Sequence, residues 1–149
     1  MITPVFRRLP DWNLRLNAAI DAAETRAFDW EGWDCCHFVG DVVMAMTGID
    51  PLVDYRGRYA TEVEAWAALN DRDGNLRAAC RRVFGGCIKA PFARRGDVVL
   101  LRGGRTIGIC LGRHAAVVSD DGAGLVRPLM ADCGFAFPLG WPLPQGPDV

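Results

Sequence analysis

Hydrophobic and polar positions recur at two periods along the chain, helical in its first part and strand-like in its second. Over residues 11–27, Trp12, Leu14, Leu16, Ala19, Ile20 and Ala23 form an apolar side, with Asp11 placed to cap the start. A second helix is expected from about Cys35 to Met46, apolar at Phe38, Val39, Val42, Val43 and Met46. It ends at Thr47-Gly48, where glycine takes the left-handed terminating conformation, and Asp50-Pro51 confirms the stop. Thr61 followed three residues later by Glu64 reads as a capping box, opening a third helix that runs to about Leu69. Asp71-Arg72-Asp73-Gly74 reads as a turn, and Asn75 caps a fourth helix through Val83, closed by Gly85-Gly86.

From Arg94 the period changes. Residues 98–101 are a continuous apolar run, and residues 106–111 and 115–118 follow, separated by the tight turn Gly112-Arg113. Asp120-Asp121-Gly122 is a further hairpin signal before residues 125–129, and Phe135-Ala136-Phe137 reads as a last short strand. The Pro/Gly-rich end from Pro138 is expected to be irregular. Helices first and an antiparallel meander second is the α+β pattern, with helices packed on one face of the sheet. The 149 residues hold no repeat and no linker, so one domain is expected: a helical half over about 11–84 and a sheet half over about 96–138.

Composition narrows the function classes. Half of the residues are hydrophobic, enough for a packed core. Seventeen basic and eighteen acidic residues leave a net charge of −1, and Lys89 is the single lysine, so neither nucleic acid nor an anionic membrane is called for. No apolar stretch approaches the roughly 20 residues that cross a bilayer. The first residues, Met1 to Arg8, lack the basic start and apolar segment of a secretory signal, so folding in the cytoplasm is expected. Six cysteines are scattered without any C-x-x-C pair. Cys80, Cys110 and Cys133 read as small buried apolar residues, and no cofactor or metal is expected. A metal or iron–sulfur site drawing on Cys35, Cys36, Cys80 and Cys87 is the alternative, weakened because adjacent helical cysteines diverge by about 100°.

The chemistry concentrates in Trp33-Asp34-Cys35-Cys36-His37-Phe38-Val39. Cys35 stands in the first turn of the second helix, where exposed N–H groups favour a thiolate, the nucleophilic form. This Asp-Cys-x-x-Phe-Val segment, then Arg-Gly-Asp-Val-Val-Leu, then Ile-Gly-Ile-Cys-Leu-Gly, resembles the NlpC-type cell-wall peptidases in motif and order. The Trp-x-Asp-Cys-Cys-x-Phe opening and the Tyr-Arg-Gly-Arg-Tyr loop resemble, more narrowly, small proteins encoded among the tail genes of phages and prophages. The resemblance spans residues 33–129 and implies a papain-like fold in which the thiol-bearing helix packs on a small antiparallel sheet. It places Cys35 on the nucleophile position.

The same resemblance puts the general base on Thr106, where those enzymes carry histidine, and the third polar residue near Val118 or Ser119. Threonine cannot take a thiol proton at neutral pH, whereas an imidazole with a pKa near 6.5 can. His37, two positions after Cys35, points roughly 200° away on a helix, and His114 sits at a hairpin tip as a solvated turn residue. The implied function is therefore a structural tail-tip or baseplate protein of a phage or gene transfer agent, located in the virion tail. Its expected partners are hub, distal-tail and tail-fibre proteins, met through aromatic loops such as Trp30/Trp33 and Tyr55/Tyr59. The equal alternative for those aromatics is ordinary packing. The alternative function is an active cysteine peptidase or amidase on peptidoglycan that uses Cys35.

Overall fold

The computed structural model describes residues 5–121 and 124–140. Four helices, α1 (Trp12–Ala23), α2 (Cys35–Thr47), α3 (Glu62–Arg72) and α4 (Leu76–Phe84), precede an antiparallel sheet. Its strands are β1 (Ile88–Lys89), β2 (Val98–Leu101), β3 (Ile107–Cys110), β4 (Ala115–Val118), β5 (Leu125–Val126) and β6 (Cys133–Phe137), in the order β1-β6-β2-β3-β4-β5. The expected α+β class is what forms.

Three helices begin where short-range capping dictates. The side chains of Asp34, Thr61 and Asn75 each accept from the amide three residues on, at His37, Glu64 and Ala78. Gly48 and Gly85 close α2 and α4 in the left-handed conformation. The expected capping box is displaced by one residue, because Glu64 accepts from the amide of Ala60 and the hydroxyl of Thr61.

Several boundaries differ. Helix α1 stops at Ala23 instead of Ala27, because the chain tightens into a turn and Arg26 then offers its carbonyl to the amide of Gly124, 2.9 Å away. Asp11 precedes α1 but does not cap it; its carboxylate accepts from Arg15 at 2.8 Å. Helix α3 runs through Arg72, past the expected end, and Asp73 closes it through the carbonyl of Leu69. The run expected over residues 125–129 pairs as a strand only at Leu125–Val126. Strand β1 was not anticipated, and β6 begins at Cys133 and lies inside the sheet, between β1 and β2. The meander thus covers β2 to β5, and the last strand returns to its other side. The expected turn at Gly122 and the tail after Gly140 lie outside the described residues.

The core sits between helices and sheet. Strict alternation sends Val98, Leu100, Ile107, Ile109, Ala116, Val118 and Phe137 to the helical side, where they meet Leu16, Phe38, Val42, Val43 and Met46. Helix α2 packs against α1 on one side and against β3 and β4 on the other. The opposite face of the sheet, with Val99, Cys110, Ala115, Val117 and Ala136, is buried beneath the short turns around Ala90 and Met130. Gly108 faces this second side, where a Cβ would stand 2.5 Å from the carbonyl oxygen of Ala116 and 2.8 Å from a methyl of Val117. Gly108→Ala is expected to cost about 1–3 kcal/mol by overpacking. A lower urea midpoint at unchanged slope is the measurement that checks it.

Candidate functional site around Cys35

The site is built on the first turn of α2. Asp34 has extended angles and is only 2% exposed, and all of its hydrogen bonding is internal. Its Oδ1 accepts from the backbone N–H of His37 at 2.9 Å and faces His37 Nδ1 at 2.7 Å. Its Oδ2 accepts from the Tyr59 hydroxyl at 2.5 Å. His37 is therefore folded back onto its own helix cap, beside the Tyr59 ring at 5.9 Å between centroids.

Cys35 and Cys36 are half-buried, while Cys80, Cys87, Cys110 and Cys133 are buried. Cys35, Cys36 and Cys80 line one apolar cavity of about 90 Å3, between α2, α3 and α4. Trp30, Tyr59, Trp66 and Ile107 are among its walls, and Arg105 lies at its edge, stacked on Trp66 at 4.5 Å. The hydrogen bond that the Cys36 thiol makes to Cys35, reinforced by burial, pushes Cys36 up. Burial, then the nearness of Cys35, pushes the Cys80 thiol up. Burial pushes Cys133 up to about 11, so these thiols stay protonated and behave as small apolar groups. Cys87 does not line the cavity, and among the described residues no group of three or more cysteine, histidine or carboxylate side chains is arranged to hold a metal ion.

The structure leaves the other expected site residues apart from the thiol. Thr106 is half-buried just ahead of β3, its carbonyl accepting from Leu101, and it does not line the cavity. His114 is exposed at the β3–β4 turn, where its carbonyl accepts from the amide of Leu111 at 2.8 Å. Val118 is buried in β4, and the Ser119 hydroxyl donates to Asp121 at 2.7 Å. Among the described residues, no imidazole lines the cavity that Cys35 faces. Its one carboxylate, Asp34, is committed to His37 and Tyr59.

Of the two alternatives for the loop tyrosines, ordinary packing is what the structure has: both are packed inward. Tyr55 donates to Asp73 at 2.6 Å and Tyr59 to Asp34, and both rings are buried. Trp33 is buried as well, with the Arg26 guanidinium 4.0 Å over its ring. Trp66 and Arg105 were missed as cavity residues. Trp66 carried a weak signal, standing in the third helix three positions before Leu69, whereas nothing in the sequence pointed to Arg105.

Among the described residues no helix is long and apolar enough to cross a membrane. No curated protein matches the chain. A family model described as a domain of unknown function, DUF6950, matches residues 7–137. That match runs from ahead of α1 to the end of β6, so the chain belongs to the DUF6950 family.

Proposed function

We propose that the chain is a structural component of a phage or gene-transfer-agent tail tip, an NlpC-type papain-like fold kept as scaffold after hydrolysis was lost. One observation carries the reading: the cavity at Cys35 has apolar walls and no imidazole among the described residues. A cysteine hydrolase needs nucleophile and base within hydrogen-bond reach, and Thr106 stands where NlpC-type enzymes carry that base. The placement of α2 against β3 and β4 agrees with the resemblance. Assignment to the tail, with hub, distal-tail and fibre proteins as partners, rests on the sequence motifs.

The test is complementation. A tail lacking this protein should fail to complete its tip, and a copy carrying Cys35→Ala should restore infectious particles to the wild-type level. Purified protein should release no muropeptides from peptidoglycan. The access of Cys35 to the cavity favours a second reading, an active cysteine peptidase or amidase. That reading requires muropeptide release abolished by Cys35→Ala, together with failure of the same variant to complement.

A further inference from the structure

A second pocket, of about 470 Å3, opens between the start of α4, the β2–β3 turn and the beginning of β6. We infer that this pocket is an oxyanion site, built to receive a phosphate or carboxylate group of a ligand through the guanidinium groups of Arg77 and Arg102. Its walls also include Asn75, Gly103, Gly104 and Phe135, and no acidic side chain lines it.

The state of the two arginines carries the argument. The Nε of Arg77 is buried and has no hydrogen-bond partner among the described residues, while its guanidinium lies 3.8 Å over the Phe135 ring. A buried donor of this kind carries the cost of lost hydration, so Arg77 is held here without a compensating acceptor at that nitrogen. Arg102 spends its Nε on the carbonyl of Ala131 at 3.2 Å, and neither guanidinium has a carboxylate within 4.0 Å among the described residues. Asp73, four positions before Arg77, is bound to Arg82 and Tyr55, and Asp97, five before Arg102, to Arg8; Asp132 meets the amide of Arg102 through its backbone carbonyl, and none of the three lines the pocket. Two unneutralised forks beside one opening match the two-point geometry of a carboxylate or phosphate.

The backbone leaves room for such a group. Gly103 and Gly104 have φ of 97° and 72°, and at both, as at Gly134, nothing lies within 4 Å of where a Cβ would stand. Side chains at these turn positions would crowd the opening. Leu76, between Asn75 and Arg77 in the chain, lines the Cys35 cavity, so the two pockets are neighbours across the start of α4. The inference stands without any catalytic role for Cys35.

Calorimetric titration of the whole protein with inorganic phosphate and, separately, with acetate tests the site, with chloride as the control for screening. One saturable site is expected, weakened at least tenfold in Arg102→Gln, an exposed position where the fold is not at stake. Arg77→Gln should weaken it similarly, and Arg113→Gln, on the β3–β4 turn, should leave it unchanged. Preference for phosphate marks a phosphorylated ligand, and preference for acetate a carboxylate ligand; either supports the site. Heats that do not saturate, or that are the same in Arg102→Gln as in the wild type, overturn it.

Discussion

Arg8→Met is expected to destabilise the fold by about 3–5 kcal/mol, the usual cost of stripping one partner from a buried ion pair. The side chains of Arg8 and Asp97 are 4% and 1% exposed, and Arg8 Nη2 donates to Asp97 Oδ1 at 2.8 Å. The same guanidinium donates to the carbonyls of Leu139 at 2.6 Å and Arg95 at 2.7 Å, so one side chain ties the approach to α1 to the segments just before β2 and just after β6. Asp97 in turn accepts from the amides of Arg94 and Leu139. Burial is the leading influence on both groups, lowering Arg8 to about 10 and raising Asp97, while each charge partly holds the other ionised.

With Arg8 gone, Asp97 loses its counter-charge and its folded pKa moves further above the unfolded value of 3.8. A carboxyl raised in the native state binds protons that the unfolded chain does not. Its contribution is therefore favourable below the unfolded pKa and is lost as pH rises through the folded one. The deficit of Arg8→Met should accordingly shrink on acidification from pH 7 toward the carboxylate range. Adding Asp97→Asn should restore part of the loss at pH 7. Urea unfolding measures both, and a drop in Tm on the order of 10 °C should accompany the single change. A loss below about 1 kcal/mol would show that Arg8 behaves as a surface charge.

What the sequence disclosed follows from the range over which each interaction acts. The bonds that begin α2, α3 and α4 span three residues, so Asp34, Thr61 and Asn75 announced those helices. Gly48 and Gly85 did the same at their ends. Strands β2 and β4 were bounded correctly because apolar runs between turn residues depend on nothing distant. Strand β1 has two residues and exists only through its register with β6, Ile88 opposite Ala136 and Lys89 opposite Phe135. No local pattern encodes that pairing.

The site divides along the same line. The place of Cys35 in the first turn of α2 was legible, whereas the burial of His37 against Asp34 and Tyr59 was not. For Tyr59 the sequence left partner contact and ordinary packing equally open, and packing is what forms, through a hydroxyl that crosses 25 positions to reach Asp34. The cavity needs α2, α3, α4 and the edge of β3 together, which is why Trp66 and Arg105 acquired meaning only in the folded chain.

Asp34→Ala should be the second most damaging of these changes, at about 4 kcal/mol from three losses that act at one point. Removing a helix N-cap costs ~1 kcal/mol. The Tyr59 hydroxyl and the His37 ring each lose a buried acceptor, at ~1–3 kcal/mol apiece. Tyr59→Phe alone should cost less, ~1–2 kcal/mol, because Asp34 keeps both of its bonds to His37. The double variant should fall short of the sum by about 1–2 kcal/mol, the coupling between two groups in direct contact. Strict additivity in chemical denaturation would mean that the short Asp34–Tyr59 bond contributes nothing to stability. The same cycle separates support from chemistry at Cys35. Asp34 fixes the turn that carries the thiol, so iodoacetamide should label Cys35 faster in Asp34→Ala than in the wild type as that turn frays. In Tyr59→Phe, where the cap to His37 persists, the labelling rate should stay within about twofold. Equal rates in all three proteins would show that the cap governs stability without governing access to the sulfur.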